Sequence, residues 1–295
     1  MDKLGLIILA GGLSTRMGQP KALLSWVGGE SLISHALRKG LDADVHDILI
    51  SIGDDEQLGH AIQTHIIDTL SNDEQEKVSI VRDSIERCGP LGGLYSTLAV
   101  GPSPAYAVMA VDMPFMEMDL YFDWLYQVDY NDWNAIIPYD DSDKAEPMAG
   151  IYRTHIASLI QSVLVGEDMS LHHALDVIGH VEHVDASDYT WELSNINRFE
   201  DYQWARALAE NEFRRVPLIS VVASKRKTGK TTVVTRLVSE LQRVGLSVGV
   251  VKSDKHGFHM DHEGTDTDLA YKAGADAVAI AGPIETAIRI RTKEQ

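Results

Sequence analysis

Apolar residues along this chain fall into short unbroken runs separated by stretches of helical periodicity. Leu6-Ile7-Ile8-Leu9, Ile48-Leu49-Ile50-Ser51-Ile52, Val78-Ser79-Ile80-Val81, Tyr106 to Val111 and Ala135-Ile136-Ile137 read as strands, apolar on both faces. Between the first two, Leu32, Ile33, Ala36 and Leu37 recur at the spacing of one helix face. Strands that alternate with helices predict βαβ units around a mostly parallel sheet with both faces covered. In such sheets ligands bind beyond the carboxyl ends of the strands, so the loops that follow strands are where chemistry is expected.

The pattern restarts near residue 217. A polar, helix-like run from Phe199 to Arg215 leads to Pro217, and Leu218-Ile219-Ser220-Val221-Val222 then predicts a new buried strand. The charge changes at the same place. Residues 1–216 carry 14 Lys+Arg against 35 Asp+Glu, a net of −21, and residues 217–295 carry 12 against 9, a net of +3. Two domains are expected, 1–215 and 217–295, joined without a Gly/Ser-rich or Pro-rich linker.

A length of 295 residues agrees with two domains, and 44% apolar with 24% charged residues excludes a disordered chain. Cys88 is the lone cysteine, which rules out an internal disulfide and Cys-rich zinc sites and fits a reducing compartment. A net charge of −18 argues against general nucleic-acid binding, which needs a basic surface. Leu4 to Ala10 is too short to span a bilayer. Gly11-Gly12, Arg16 and Lys21 stand where a signal peptide would need its cleavage site. The expectation is a cytoplasmic protein that binds neither nucleic acid nor membrane.

Four places carry candidate chemistry. The first is the loop after the opening strand, Leu9-Ala10-Gly11-Gly12-Leu13-Ser14-Thr15-Arg16-Met17-Gly18-Gln19-Pro20-Lys21. Paired glycines there let backbone amides converge on an anion, and Arg16 and Lys21 add cations for phosphate oxygens. A plain surface turn with solvated charges is the competing account, weakened by the convergence of so many suitable residues. The spacing is neither G-x-G-x-x-G nor G-x-x-x-x-G-K-[ST]. The second place is Asp83 through Gly93, where Gly-Pro-Leu-Gly-Gly reads as a rigid turn opening a helix over Leu94 to Ala99. The third is Asp112, a carboxylate ending an apolar strand, costly unless solvated or paired. Magnesium is one partner for it, and capping of the following turn is the alternative. The fourth comprises Glu146 to Tyr152 and Asn195-Ile196-Asn197-Arg198-Phe199-Glu200-Asp201. In the latter, Asn197 and Glu200 suggest a capping box, with proximity to the metal as the second option.

These motifs together resemble the molybdenum cofactor guanylyltransferase (MobA) family over about residues 4 to 215. The resemblance rests on L-A-G-G-x-S-x-R-M-G-x-x-K at Leu9 to Lys21, G-P-L-x-G at Gly89 to Gly93, Asp112, and N-x-N-x-x-E-[DE] at Asn195 to Asp201. It implies a Rossmann-like, mostly parallel sheet and transfer of GMP from GTP to molybdopterin, giving the guanine dinucleotide form and diphosphate. It also implies roles for residues. Arg16, Lys21 and Asp112 would be catalytic, with Asp112 on Mg2+. Leu9, Ala10, Gly11, Gly12, Lys21, Ser51, Asp83, Gly89, Pro90, Leu91, Asp112, Asn195 and Asn197 would bind the nucleotide or cofactor. The family's asparagine at the end of the second strand is replaced here by Ser51 in Ser51-Ile52-Gly53. The partners implied are the small molecules themselves, with transient contact to other cofactor-biosynthesis proteins and to recipient molybdoenzymes. A cytidylyltransferase or a sugar-1-phosphate nucleotidyltransferase of the same fold, or a non-catalytic GTP-binding, cofactor-handing module, are the alternatives.

After Pro217, strand, loop, Gly229-Lys230-Thr231-Thr232 and a helix over Val233 to Leu241 follow the P-loop layout, with Ser224 where the first glycine belongs. Lys230 would reach phosphates and Thr231 would ligate magnesium. The order of this strand at Gly245 to Lys252, then His256-Gly257-Phe258, Asp266-Thr267 and Ala273-Gly274-Ala275, resembles the molybdopterin-guanine dinucleotide P-loop protein (MobB). About 79 residues are roughly half of such a domain. No acidic strand follows Ile290, so an incomplete P-loop α/β domain is expected, one that dimerises, docks on the transferase or is a remnant. His256, His259 and His262 read as solvated histidines rather than a metal set, and His172-His173 carries no readable signal.

Overall fold

The computed structural model describes residues 4–11, 20–85, 88–128, 132–139, 144–166, 168–212, 218–222, 229–253, 264–283 and 286–291. Two compact units result, Met1–Arg214 and Arg215–Gln295. The first runs β1 (Leu4–Leu9), α1 (Leu32–Asp42), β2 (Ile48–Ser51), α2 (Glu56–His65), α3 (Asn72–Lys77), β3 (Val78–Val81), α4 (Gly89–Val100), β4 (Ala105–Ala110) and α5 (Met118–Gln127). It continues with β5 (Ala135–Tyr139), β6 (Ile151–Arg153), α6 (Ala157–Leu164), α7 (Leu171–Ile178), β7 (Val181–Asp185) and α8 (Phe199–Glu212).

Its sheet has the order β3-β2-β1-β4-β6-β5-β7 and is parallel except for β6, which runs against both neighbours. All six residues of β1 are buried, and the two-residue period of a strand splits them between two cores. Leu6 and Ile8 join Ile48, Ile50 and Met109 under α1, α2, α5 and α8. Ile7 and Leu9 join Leu49 and Val108 under α4, α6 and α7. Helix α4 is apolar nearly all round, burying Leu91, Leu94, Ser96, Thr97 and Leu98, as a helix wedged between a sheet and another helix must.

The amino end of the sheet is tied by a polar cluster. Asp47, just before β2, is buried and accepts from Ser103 Oγ and from the Tyr106 hydroxyl. Tyr106 OH in turn accepts from the Ser103 amide at 3.0 Å. The carboxylate is thereby satisfied inside the fold, as a buried polar group requires.

At the opposite end, α1 holds the segment that follows β4. Ser31 caps α1, its hydroxyl accepting from the Ser34 amide. The buried stripe Leu32, Ile33, Ala36 and Leu37 faces the sheet, which turns His35 and Lys39 toward Pro114–Glu117. Lys39 Nζ donates to the carbonyls of Pro114 (2.8 Å) and Met116 (2.7 Å) and to Glu117 Oε1 (2.7 Å). His35 Nε2 lies 3.1 Å from the Pro114 carbonyl, which can only accept, so that nitrogen carries the hydrogen.

In the second unit, α9 (Lys230–Arg243), β8 (Gly249–Ser253), α10 (Asp266–Lys272), β9 (Ala277–Ala281) and β10 (Thr286–Ile290) form a three-stranded sheet ordered β10-β9-β8. Its core is small: Val238, Ala270, Ala275 and Val278. The strand expected at Leu218–Val222 is not formed. The segment joins no ladder, and Leu218, Ile219 and Val222 are exposed. An apolar run becomes a buried strand only between partner strands and covering helices. Among the described residues the sheet of this unit consists of β10, β9 and β8, and this run is not one of its strands.

His35 is held below its ordinary pKa, first by burial and then by the Lys39 ammonium. The unfolded chain therefore binds that proton more readily, and stability falls as pH drops from about 6.5 through the lowered folded value. The last of the five tryptophans is Trp204, so their fluorescence reports on the first unit alone. Melts followed this way between about pH 7 and pH 5 should show the wild type losing stability more steeply than His35→Gln; parallel curves would remove His35 from this role.

Candidate functional site

Parallel register places the carboxyl ends of four strands in one row. Leu9 stands opposite Ser51 and Ala110, and Ser51 opposite Val81. The loops leaving β1, β2, β3 and β4 therefore emerge side by side, where doubly wound sheets bind ligands.

The β1 loop bends over the end of β2. The amides of Ala10 and Gly11 both donate to the Ser51 carbonyl, at 2.8 and 2.9 Å. A Cβ on Gly11 would lie 2.6 Å from the Gly53 nitrogen, so only glycine permits this approach. Leu9 and Ala10 are buried, and Gly11 is exposed. Gly12 and Arg16 lie outside the described residues.

Past that loop, Lys21 opens a short 3-10 turn, Lys21–Leu23, after Pro20. Its Nζ is 2.7 Å from Oδ2 of Asp112, 91 residues later in the chain. The two side chains are 22% and 16% exposed, shielded yet reachable. Asp112 follows β4 directly. The Val111 amide donates to the Leu9 carbonyl (3.0 Å), and the turn after it is closed by the Met113 amide on the Ala110 carbonyl (3.0 Å). Backbone thus makes that turn and the Asp112 side chain pairs with Lys21, so turn-capping is not its role.

The segment at Asn195 is brought to the same place. The Ile196 amide donates to the Asp112 carbonyl at 2.8 Å. Asn195 Oδ1, one residue away, is buried and has no partner among the described residues, an arrangement that a ligand, ion or water ordinarily satisfies. Asn197 is exposed, and the expected capping box is displaced by one residue. Asp201, not Glu200, accepts from the amides of Arg198 (2.8 Å) and Asn197 (3.2 Å). The helix starts at Phe199, which makes Arg198 the cap and Asp201 the third residue in.

On the other side of β1, Ser51 Oγ donates to Asp83 Oδ1 at 3.0 Å. Burial pushes the Asp83 carboxyl above its ordinary range, the Ser51 hydrogen bond opposes this, and the charge of Asp54 adds to it. A Cβ on Gly93 would meet Ser51 Oγ at 2.5 Å, so glycine lets α4 settle against the end of β2. The Gly89–Gly93 run, expected as a turn before the helix, is itself the start of α4. Pro90 stands in the first turn, where its missing N–H costs nothing. Cys88, the cap residue, makes no side-chain cap hydrogen bond to the first turn, and Leu91 is fully buried there.

Taken together, Lys21, Asp112, Asn195, Ser51, Asp83 and the start of α4 gather along one edge of the sheet. A lysine and a carboxylate in contact suit a triphosphate accompanied by a divalent cation. Among the described residues no three His, Cys, Asp or Glu side chains converge on a point. Among the described residues, the Asp112 carboxylate and the Asn195 amide oxygen are donors of the kind that fits Mg2+, which takes one or two carboxylates and completes its shell with phosphates and waters. In the second unit Gly229 (φ 87°) precedes α9, Lys230 and Thr231 open that helix, and Thr231 Oγ1 donates to Asp266. Ser224, His256, His259 and His262 lie outside the described residues. No described helix is long and apolar enough to cross a membrane.

His35 and Lys39 escaped the sequence reading, and Asp266 entered it only as part of the MobB-like order, without a link to Thr231. A histidine and a lysine four apart on a helix look like a solvated flank until the partner loop is known. Asp266 had a signal, a carboxylate after Gly264-Thr265 at a helix start, but nothing local linked it to Thr231.

Comparison with known proteins agrees with this geometry. Residues 6–182 match the family model described as MobA-like NTP transferase domain, and residues 218–295 match molybdopterin guanine dinucleotide synthesis protein B. A probable molybdenum cofactor guanylyltransferase of Bacillus cereus is 27% identical over 215 residues, 72% of this chain and 100% of that protein. The crystal structure of molybdopterin-guanine dinucleotide biosynthesis protein A from Archaeoglobus fulgidus superposes with a TM-score of 0.58 at 18% identity, covering 70% of this chain and 99% of that one. A nucleotidyl transferase from Methanothermobacter gives 0.54 at 17%, covering 72% and 100%. The match spans most of the sheet and every strand end that lines the site, and by it the chain belongs to the MobA-like NTP transferase family, as a nucleotidyltransferase with a MobB-type segment after it.

Proposed function

We propose that the first unit transfers GMP from GTP to the terminal phosphate of molybdopterin, releasing diphosphate. The observation that carries this is the Lys21–Asp112 contact at the carboxyl edge of the sheet. The attacking group is a phosphate monoester, largely ionised at neutral pH with a second pKa of about 6, so no general base is required. One of its oxygens bonds to the α-phosphorus as the bridge to the β-phosphate breaks, and the leaving diphosphate takes the electron pair.

The chain's part is then positioning and charge neutralisation. Backbone at Leu9, Ala10, Gly11 and Gly12 borders the nucleotide phosphates, and Lys21 with Arg16 neutralises their charge. Asp83, steadied by Ser51, accepts hydrogen bonds from the guanine edge, and Gly89, Pro90 and Leu91 border the nucleoside. Asn195 and Asn197 lie on the acceptor side. Asp112 would hold Mg2+, which supplies charge stabilisation on the phosphate oxygens. In the second unit Gly229, Lys230 and Thr231 form a separate place for phosphates.

Diphosphate release measured with Mg2+ and molybdopterin should be fastest with GTP against CTP and ATP. A preference for CTP would reassign the base, and release only with a sugar phosphate as acceptor would discard the cofactor reading. Lys21→Ala and Asp112→Ala should each lower turnover by about 100-fold or more, the usual cost of one preorganised charge-stabilising group, with tryptophan fluorescence melts still cooperative. The raised pKa of Asp83 sets a pH dependence. KM for GTP should climb on acidification at a pH above the ordinary carboxylate value of about 4. Ser51→Ala should move that inflection upward, because the hydroxyl favours the ionised form, and Asp83→Asn should abolish it. A KM profile unchanged in both variants would take the guanine edge away from Asp83.

A further inference from the structure

Lys21 and Asp112 lie 91 residues apart, yet the segments that carry them are both fastened to α1. After the Lys21–Leu23 turn the chain reaches the amino end of that helix. The Leu24 carbonyl accepts from the Leu32 amide at 3.0 Å, and the Trp26 amide donates to the Glu30 carbonyl at 2.6 Å. After Asp112 the chain meets the same helix near its other end. There Lys39 Nζ donates to the Pro114 and Met116 carbonyls and to Glu117 Oε1, at 2.8, 2.7 and 2.7 Å. Trp26, 1% exposed, closes the bracket between the two segments. Its ring meets that of Phe115 edge to face at 5.9 Å, and that of His35 at 5.8 Å.

Lys39 is unlike a solvated surface lysine. An ammonium has three hydrogens to donate, and three oxygens of one short segment surround it here. Its side chain is 11% exposed, so the stem is packed and the head is spent on protein oxygens. The first of those oxygens belongs to the second residue after Asp112. Asp112 is restrained before its side chain by the Val111 amide on the Leu9 carbonyl, and at its own carbonyl by the Ile196 amide. Lys39 supplies the restraint that follows it. A carboxylate that has to meet a lysine and a cation at once needs its backbone placed to within about 0.5 Å, and residues outside the reacting set provide this.

We propose that Lys39 is a positioning residue for nucleotidyl transfer. It holds the turn after β4 on α1, the helix that also carries the Lys21 segment, and so sets the Asp112 carboxylate where Lys21 and a divalent cation share it. This rests on the reading of the first unit in which Asp112 holds Mg2+. The charge of Lys39 is committed to Pro114–Glu117 rather than to the phosphates, so its effect reaches the reaction through Asp112.

The test compares GTP affinity by calorimetry with Mg2+ and with EDTA, using the full chain carrying Lys230→Ala to remove the phosphate-binding lysine read in the second unit. In that background Mg2+ should tighten GTP binding, and Asp112→Ala should abolish the gain. Lys39→Met, which keeps the stem and loses the donors, should remove most of the gain while GTP affinity in EDTA stays within about twofold. Its kcat for diphosphate release should fall about tenfold or more, as loss of a group that orients a metal ligand does. Lys39→Arg, which restores donors, should recover most of both losses. A merely structural lysine would lower the tryptophan melting midpoint in Lys39→Met and leave the Mg2+ gain intact, and that result overturns the proposal. Should Lys39→Met melt below the assay temperature, Lys39→Gln is read in its place, and a gain equal to the background overturns the proposal in the same way. If Mg2+ brings no gain, or Asp112→Ala leaves it intact, the metal reading of Asp112 fails and takes the proposal with it. That outcome is distinct from one in which Asp112→Ala abolishes the gain and Lys39→Met does not.

Discussion

The contact between Lys21 and Asp112 depends on β1 lying between β2 and β4 in parallel register. That register puts the end of β1 beside the end of β4, and the amide of Val111 on the carbonyl of Leu9 fixes the alignment to a single residue. A slip by one residue would turn Asp112 away and move Leu6 and Ile8 from one core to the other. The burial of β1 on both faces thus enforces the position of the charged pair. Before substrate arrives, each charge of the pair answers the other, as partly shielded ions require. Under the proposed reaction a triphosphate with its cation would bring the same two charges in opposite places, and binding would be an exchange of partners rather than a burial of new charge.

The two-face burial that builds this frame is also what made it legible. β1, β2, β4 and β5 announced themselves as apolar runs, because a strand covered by helices on both faces has little polar surface to show, while the edge strand β3 carries one exposed serine, Ser79. β6 did not, since Ile151-Tyr152-Arg153 is too short to form a pattern, and its antiparallel course is set by its neighbours. The candidate site was visible as residue types following strand ends. Their meeting was not, because the distance between Lys21 and Asp112 is decided by strand order and not by anything near either residue.

Local rules misled where tertiary context outweighed them. Leu218–Val222 has the composition of a buried strand, yet it is not one of the strands of the described sheet β10-β9-β8. Gly-Pro-Leu-Gly-Gly looks like a turn, yet burial of Leu91 and Leu94 recruits it into α4, where small residues let the helix approach the sheet. Asn197 is a favourable cap by composition, but the helix begins one position later and Asp201 reaches back over two amides. The grip of His35 and Lys39 on Pro114–Glu117 illustrates the same limit, since the carbonyls they hold exist as targets only after β4 and α1 are adjacent.

The two ends of the principal sheet are built by different means. At the amino end, the carboxylate of Asp47 bolts β2 to β4 through Ser103 and Tyr106. The carboxyl end consists of loops joined by hydrogen bonds between their backbones and by the Lys21–Asp112 pair. A rooted base beneath an adjustable rim means that base preference and acceptor can drift by exchanging loops, leaving the framework that orients them untouched. Diversification of such an enzyme then proceeds by replacing its rim, and its folding need not be reinvented each time.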